Sequence, residues 1–411
     1  ADRLREIALG AKRAVVVGGG FIGLEMAENL VRRGVKTAVV ELADQVLPPW
    51  DREMTTPIAE HLRANGVELL LGDSAAEFMS AGTGLVVKLK SGRELPADFV
   101  VLSVGVRPEN SLAVAAGLEV GPRGGIRVNE HMQTSDPDIY AVGDAVEVRE
   151  FVTGDPIQIP LAGPANRQGR IAADHIFGRP SKYRGTQGTA VVGVFGLTAA
   201  MTGLSEKVLQ RSGRTYEKIY LHPTNHAGYY PGAERMSLKL LFDPANGKVL
   251  GAQAVGHQGV DKRIDVLAMA IQAGMTVFDL EEAELAYAPQ YGSAKDPINM
   301  AGFIAAGVVH GDSSITHAAI LPTAMEAGAV VLDVRTPTEF ECSHVPGAFN
   351  IPLDELRDRL DEVDRGKPVI AYCQVGQRGY MATRILKQAG YDAANLSGGY
   401  TTYCQTVGGS A

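Results

Sequence analysis

A single thiol, Cys373, ends the apolar run 369–372 and is followed five residues later by Arg378, with Gly376 between them and Gly379 just beyond. A strand that ends in a tight loop and then opens a helix aims backbone N–H groups and the positive end of the helix at whatever the loop holds. Such surroundings stabilise an anion and make a cysteine sulfur nucleophilic near neutral pH. The sequence therefore predicts Cys373 as nucleophile and Arg378 as the cation closing its loop. Gln374, Val375, Gly376, Gln377 and Gly379 form the substrate cradle, and a helix follows over 380–388. A buried structural cysteine is the alternative, but a core strand has no need of an arginine there.

A second set of residues suits a dinucleotide. Gly18, Gly20 and Gly23 follow the short apolar strand 14–17 with G-x-G-x-x-G spacing. A helix is predicted from Phe21 to about residue 33, Gly34 suits its C-terminal cap, and 37–41 is the next strand. In this βαβ unit Gly18 permits the turn, Gly20 lets the backbone approach a pyrophosphate, and Gly23 lets helix and strand pack closely. Phe21, Ile22 and Glu25 lie on the first turns of the same helix. Glu41 ends the second strand, where a carboxylate bonds an adenosine ribose, and no arginine follows at 42–45 to meet a 2′-phosphate; NADH is favoured over NADPH. A third segment, 139–144, reads as a buried strand with Gly143-Asp144 at its C-terminal edge, where ligands bind in open α/β sheets.

The motifs carry two family resemblances. Residues 331–335 (VLDVR), Glu339-Phe340, 344–348 (HVPGA) and 396–400 (LSGGY) surround the Cys373 loop in a way that resembles a rhodanese domain over 312–411. The resemblance implies a cysteine that accepts sulfane sulfur as a persulfide. The loop departs from the commonest pattern at Gly379 and Tyr380, where small hydroxyl residues are frequent. Residues 18–41, 104–108 (VGVRP, with Gly105) and 134–144 together resemble the pyridine nucleotide-disulfide oxidoreductases, which implies FAD as well as NADH, with Asp144 at the flavin ribityl chain. Beyond about residue 185, a hairpin around 243–247, a helix over 261–272, and 226–232 (HAGYYPG) with 287–297 (YAPQYGSAKDP) resemble the interface domain of the coenzyme A-disulfide reductase branch. That implies a homodimer, Tyr229 and Tyr287 at the substrate sulfur with Tyr230 a rival, and Lys295 and Asn166 as substrate contacts, Lys295 toward a coenzyme A phosphate.

The expected fold class is α/β. A Rossmann-like domain spans 1–105, the C-terminal half of an FAD domain 106–182, an α+β dimerisation domain 183–311 and an α/β rhodanese domain 312–411. Within the dimerisation domain, 189–204 is read as a strand and a following helix. The first FAD glycine fingerprint and the redox cysteine of the resembled family do not occur in the sequence, so a fragment with an exposed sheet edge is expected.

The 39 basic and 47 acidic side chains give a net charge of −8 without a basic tract, which argues against nucleic acid as a partner. Three cysteines cannot build a disulfide framework, no signal peptide opens the chain, and no long apolar span occurs; a cytoplasmic protein without membrane partners is expected. His222 and His226 are four apart, but Pro223 breaks any helical metal face, and no metal site is expected. The function implied is FAD-dependent NADH:disulfide or persulfide reduction with a fused sulfurtransferase. The alternatives are an NADH oxidase or peroxidase, discriminated by oxygen consumption, and a non-redox sulfur-carrier module.

Overall fold

The computed structural model describes residues 2–82 and 84–407. Its first sheet is parallel, in the order Glu68–Leu71, Lys36–Glu41, Arg13–Val17, Phe99–Leu102. Val15, Val16, Val39 and Val40 are buried in it, and β-branched residues suit such a strand. The helix Phe21–Arg32 crosses over the sheet, and Gly34 ends it with a φ of 80° that few other residues adopt. A three-stranded antiparallel sheet, Ala75–Ala81, Gly84–Leu89 and Glu94–Ala97, covers one face.

Residues 106–182 are less regular. Three short strands, Ile126–Arg127, Val146–Arg149 and Pro156–Ile157, are followed by the helix Ala162–Ile176. The buried strand expected at 139–142 does not form. Only Tyr140 makes a bridge, to Gln133, and Ile139 and Val142 stay exposed. An apolar run becomes a strand only when a neighbour supplies a ladder of hydrogen bonds, and this one meets a single bridging residue.

The next domain is a five-stranded antiparallel sheet in the order Ala190–Val194, Leu197–Gly203, Val249–Gly256, Ser237–Phe242, Glu217–Leu221. The strand-then-helix expectation for 189–204 is corrected here: the segment is a β-hairpin. Phe195 and Gly196 turn it with φ of 50° and 86°, the two positive values a type I′ turn demands. Val191, Val192 and Val194 favour strand over helix at the positions where periodicity alone is ambiguous. The hairpin expected around 243–247 is present, and the helix Val260–Ala273 ends at left-handed Gly274. Val192, Val194, Leu197 and Val255 pack into the same core as Val16, Trp50 and Met54, so this sheet and the first domain share one hydrophobic interior.

The C-terminal domain is a five-stranded parallel sheet, ordered Ile315–Thr316, Ala393–Leu396, Val369–Tyr372, Val330–Asp333, Phe349–Asn350. Its last helix, Gly399–Val407, packs on the helix Arg52–Ala64 of the first domain. Among the described residues no helix is long and apolar enough to cross a membrane.

Candidate active site

Cys373 directly follows the central strand of the C-terminal sheet, at its carboxyl edge. Its side chain is buried, within the core cluster that includes Leu332, Val369 and Leu386. The loop turns at Gly376 with a φ of 96°, and the helix starts at Gln377, three residues earlier than expected. Among the described residues the N–H groups of 374–379 have no backbone acceptor, so the loop is lined by free donors. Two glycines make this closeness possible. A Cβ on Gly399 would lie 2.2 Å from the Cys373 carbonyl oxygen, and one on Gly379 would lie 2.4 Å from Asn395 Oδ1. The second distance explains why no hydroxyl-bearing side chain stands at 379.

The other cradle residues have distinct fates. Gln374 is turned into the framework, accepting from Arg335 Nη1 at 3.0 Å and donating to Thr401 Oγ1 at 3.1 Å. Val375 is half-buried, and Gln377 faces solvent. Arg378 donates through both terminal nitrogens to Glu339, at 2.8 and 2.6 Å. Glu339, in sequence only part of a motif, orients the arginine. It also closes a capping box with Thr336 at the start of the helix Pro337–Cys342. The Thr336-x-x-Glu339 spacing is the signal that finds it. The hydrogen bonds from Arg378 hold Glu339 down to about 2. The same pair, with the nearby Cys373 thiol, raises Arg378 above its ordinary value against the opposing effect of burial.

The glycine loop of the first domain has one crowded side and one open side. A Cβ on Gly18 would meet Ser103 O at 2.3 Å, and one on Gly23 would meet Gly18 O at 1.9 Å. Nothing lies within 4 Å of a Cβ on Gly20 or Gly105. The open side is the one a pyrophosphate needs. The buried Glu41 carboxylate accepts from Gly19 N–H at 2.6 Å and Ala43 N–H at 2.9 Å, so it is fixed beside the loop. Phe21 is half-buried, whereas Ile22 and Glu25 are exposed on the helix that begins there.

Asp144 lines a cleft of about 930 Å³ together with Arg107, Arg123, Gln158 and Asn166. Gly143 supports the turn, donating its N–H to buried Gln168 at 2.8 Å. The Gln158 amide nitrogen lacks a partner, and Asn166 bonds only the carbonyl of Ala162 in its own helix, so polar groups remain for a ligand. The cleft suits a large polar cofactor.

Tyr229 and Tyr287 approach each other hydroxyl to hydroxyl at 3.4 Å, both exposed. The hydrogen bond shared with Tyr229 raises Tyr287 above the usual phenol value, with partial desolvation a smaller contribution. Tyr230 is also exposed, and its neighbour is the His226 ring. Lys295 lies over the Phe303 ring at 5.7 Å. The structure thus pairs Tyr229 with Tyr287, not with Tyr230.

One cluster had no motif to announce it. Asp51, Glu53 and Glu206 converge closely enough to hold a metal ion. The fully buried Lys239 fills the space, donating to them at 2.9, 2.5 and 2.6 Å. The three carboxylates and Tyr220 keep Lys239 charged despite burial, which alone would lower it. Near this junction the C-terminal domain is seated on its neighbours. Tyr220 N–H donates to Ser397 Oγ at 3.1 Å, His222 meets Thr402 Oγ1 at 2.8 Å, and Thr56 donates to Gln405 O at 2.7 Å. A Cβ on Gly398 would lie 2.7 Å from Tyr220 Cβ.

Residues 1–169 match the pyridine nucleotide-disulphide oxidoreductases, 189–296 their dimerisation domain, and 317–406 the rhodanese-like domain. The chain is 36% identical to a coenzyme A disulfide reductase of Staphylococcus haemolyticus over 294 residues, 71% of this chain and 66% of that protein. It thus spans about two thirds of that relative's length. Among solved structures, reduced CoADR-RHD of Bacillus anthracis is 48% identical with a TM-score of 0.96, over 99% of this chain and 73% of that one. An NAD-dependent persulfide reductase from A. fulgidus is 38% identical with a TM-score of 0.90, over 98% of this chain and 74% of that one.

Proposed function

Because the chain belongs to the pyridine nucleotide-disulphide oxidoreductase family, we propose that it serves an FAD-dependent, NADH-driven reductase of coenzyme A disulfide or persulfides that carries its own sulfurtransferase. The observation that carries this reading is the Cys373 loop, with free N–H donors and an oriented arginine, in one chain with an open nucleotide cradle. In this reading the domains run 1–105, 106–182, 183–311 and 312–411.

NADH and FAD, when bound, supply hydride and electron transfer. The residues here bind and orient. The open face at Gly20 admits the pyrophosphate, and Glu41 takes the ribose hydroxyls with its remaining lone pairs while repelling a 2′-phosphate. Asp144 holds polar parts of the flavin in its cleft, and Asn166, on the wall of the same cleft, contacts substrate. Tyr229 and Tyr287, supplied across a homodimer, donate to a departing thiolate, and Lys295 meets a phosphate of coenzyme A. Cys373 accepts sulfane sulfur as a persulfide, which the N–H groups of the loop closed by Arg378 stabilise. Its three unpaired cysteines suit a reducing cytoplasm.

Two measurements test this. Protein exposed to a sulfur donor should gain one sulfur atom on the Cys373 peptide, and Cys373→Ser should gain none. Titration calorimetry should show NADH binding more tightly than NADPH, with Glu41→Ala narrowing the difference. Absence of the sulfur adduct in the unaltered protein overturns the sulfurtransferase part, and equal affinities overturn the role given to Glu41.

A further inference from the structure

The charge at the Cys373 loop is smaller than the presence of an arginine suggests. Both terminal nitrogens of Arg378 are committed to Glu339. The carboxylate is held from behind by the Thr336 N–H at 2.9 Å and hydroxyl at 3.0 Å, so it cannot swing away without opening the capping box. The other guanidinium beside the loop, Arg335, is spent on Asp333, on the Ser343 carbonyl and on Gln374. What faces an incoming donor is therefore a neutral ion pair and a ring of N–H dipoles.

We propose that Glu339 is a specificity-determining residue: by neutralising Arg378 it makes the Cys373 loop select sulfane-sulfur donors of low charge, such as alkyl persulfides, over the thiosulfate dianion. This rests on the sulfur-carrier reading above. With a persulfide donor, the Cys373 thiolate attacks the terminal sulfur of RSSH. A new S–S bond forms, the donor S–S bond breaks, and RS⁻ leaves with the electron pair, giving Cys373–SSH. With thiosulfate the same attack expels sulfite and leaves Cys373–SS⁻, so three negative charges meet in the encounter. A full positive charge on Arg378 lowers that barrier; a paired one does so far less.

The experiment compares 2-hydroxyethyl persulfide, which has no charged group apart from its persulfide, with thiosulfate as donors, using the full chain, its Glu339→Gln variant and Glu341→Gln as a charge-matched control on the same helix. Glutamine retains the capping-box geometry. Glu339→Gln should raise the thiosulfate-to-persulfide ratio of kcat/KM by roughly three- to tenfold, mainly through a lower KM for thiosulfate, with the gain fading as salt is added. Glu341→Gln should leave the ratio unchanged. Because the ratio is taken within one variant, loss of folded protein cancels. An unchanged or lower ratio in Glu339→Gln overturns the proposal. Sulfur transfer that persists in Cys373→Ser overturns instead the reading on which it rests.

Discussion

The Lys239 cluster and the Cys373 loop both gather charged groups, yet they treat hydrogen bonds in opposite ways. Around Lys239 the main polar atoms are answered. The ammonium has three carboxylates, Asp51 also accepts from Gln253 at 2.7 Å, and Glu53 from the Tyr220 hydroxyl at 2.7 Å. Around Cys373 the charged side chains of Arg335 and Arg378 are answered, but among the described residues the backbone donors of 374–379 are not. Saturation marks a place that holds domains together, since an unpaired buried charge there is costly. Unspent donors mark a place made for a ligand. Three converging carboxylates alone would suggest a metal, and the lysine among them removes that reading.

Substitutions should separate the two regions. The largest effect is expected for Cys373→Ser, which should abolish sulfur transfer while leaving the urea midpoint nearly unmoved; Cys404→Ser should keep transfer. Equal loss from both would break the contrast. Next comes Lys239→Met, which strands Asp51, Glu53 and Glu206 together and should cost about 3–5 kcal/mol of stability. Sulfur transfer per folded molecule should survive it, and a loss of transfer without a loss of stability would show that the cluster is more than a clasp.

Acid should act on the clasp. Burial opposes ionisation of Glu206, but Lys239 and Lys218 outweigh it and bring the group from 4.5 to about 2. An acid depressed on folding adds stability above its ordinary value, and that contribution drains away as pH falls from 4.5 toward about 2. His222 works in the same direction for a different reason. Burial, and then Arg235, lower it from 6.5 to about 4, so between those values the unfolded chain takes up a proton that the folded one refuses. Denaturation followed against pH should therefore show stability declining below 6.5 and again below 4.5, with His222→Gln removing the first decline. A flat profile down to pH 4 would contradict the His222 assignment. The smallest effect is expected for Tyr287→Phe. It removes one exposed hydroxyl bond and should change stability by less than about 0.5 kcal/mol.

What could be read in the sequence was whatever the backbone itself demands. The spacing of Gly18, Gly20 and Gly23, the strand before Cys373 and the turn at Gly376 follow from local geometry that few other residues permit. The hairpin at 190–203 was misread because its turn is Phe-Gly, a pair outside the familiar Asn-Gly and Asp-Gly signals. The run at 139–142 was misread because apolar composition says that a segment wants burial without saying what it pairs with. Lys239 was out of reach altogether: its partner Asp51 lies 188 residues away, and only the folded sheet brings them together. Glu339 lay between these cases, since its capping spacing was local but its hold on Arg378 spans 39 residues.

The two adjacent glycines at 398 and 399 join the Cys373 loop to a neighbouring domain with almost no slack. One touches the loop, at the Cys373 carbonyl, and the other touches Tyr220. A module fastened this close to Cys373, the nucleophile proposed above, is poorly suited to act as a swinging arm, in the manner of carriers that visit one station after another on a flexible tether. Sulfur leaving Cys373 for a distant centre would have to travel on a small thiol that diffuses between them. Throughput would then depend on how much of that shuttle the surroundings provide, and not on any motion of the domain.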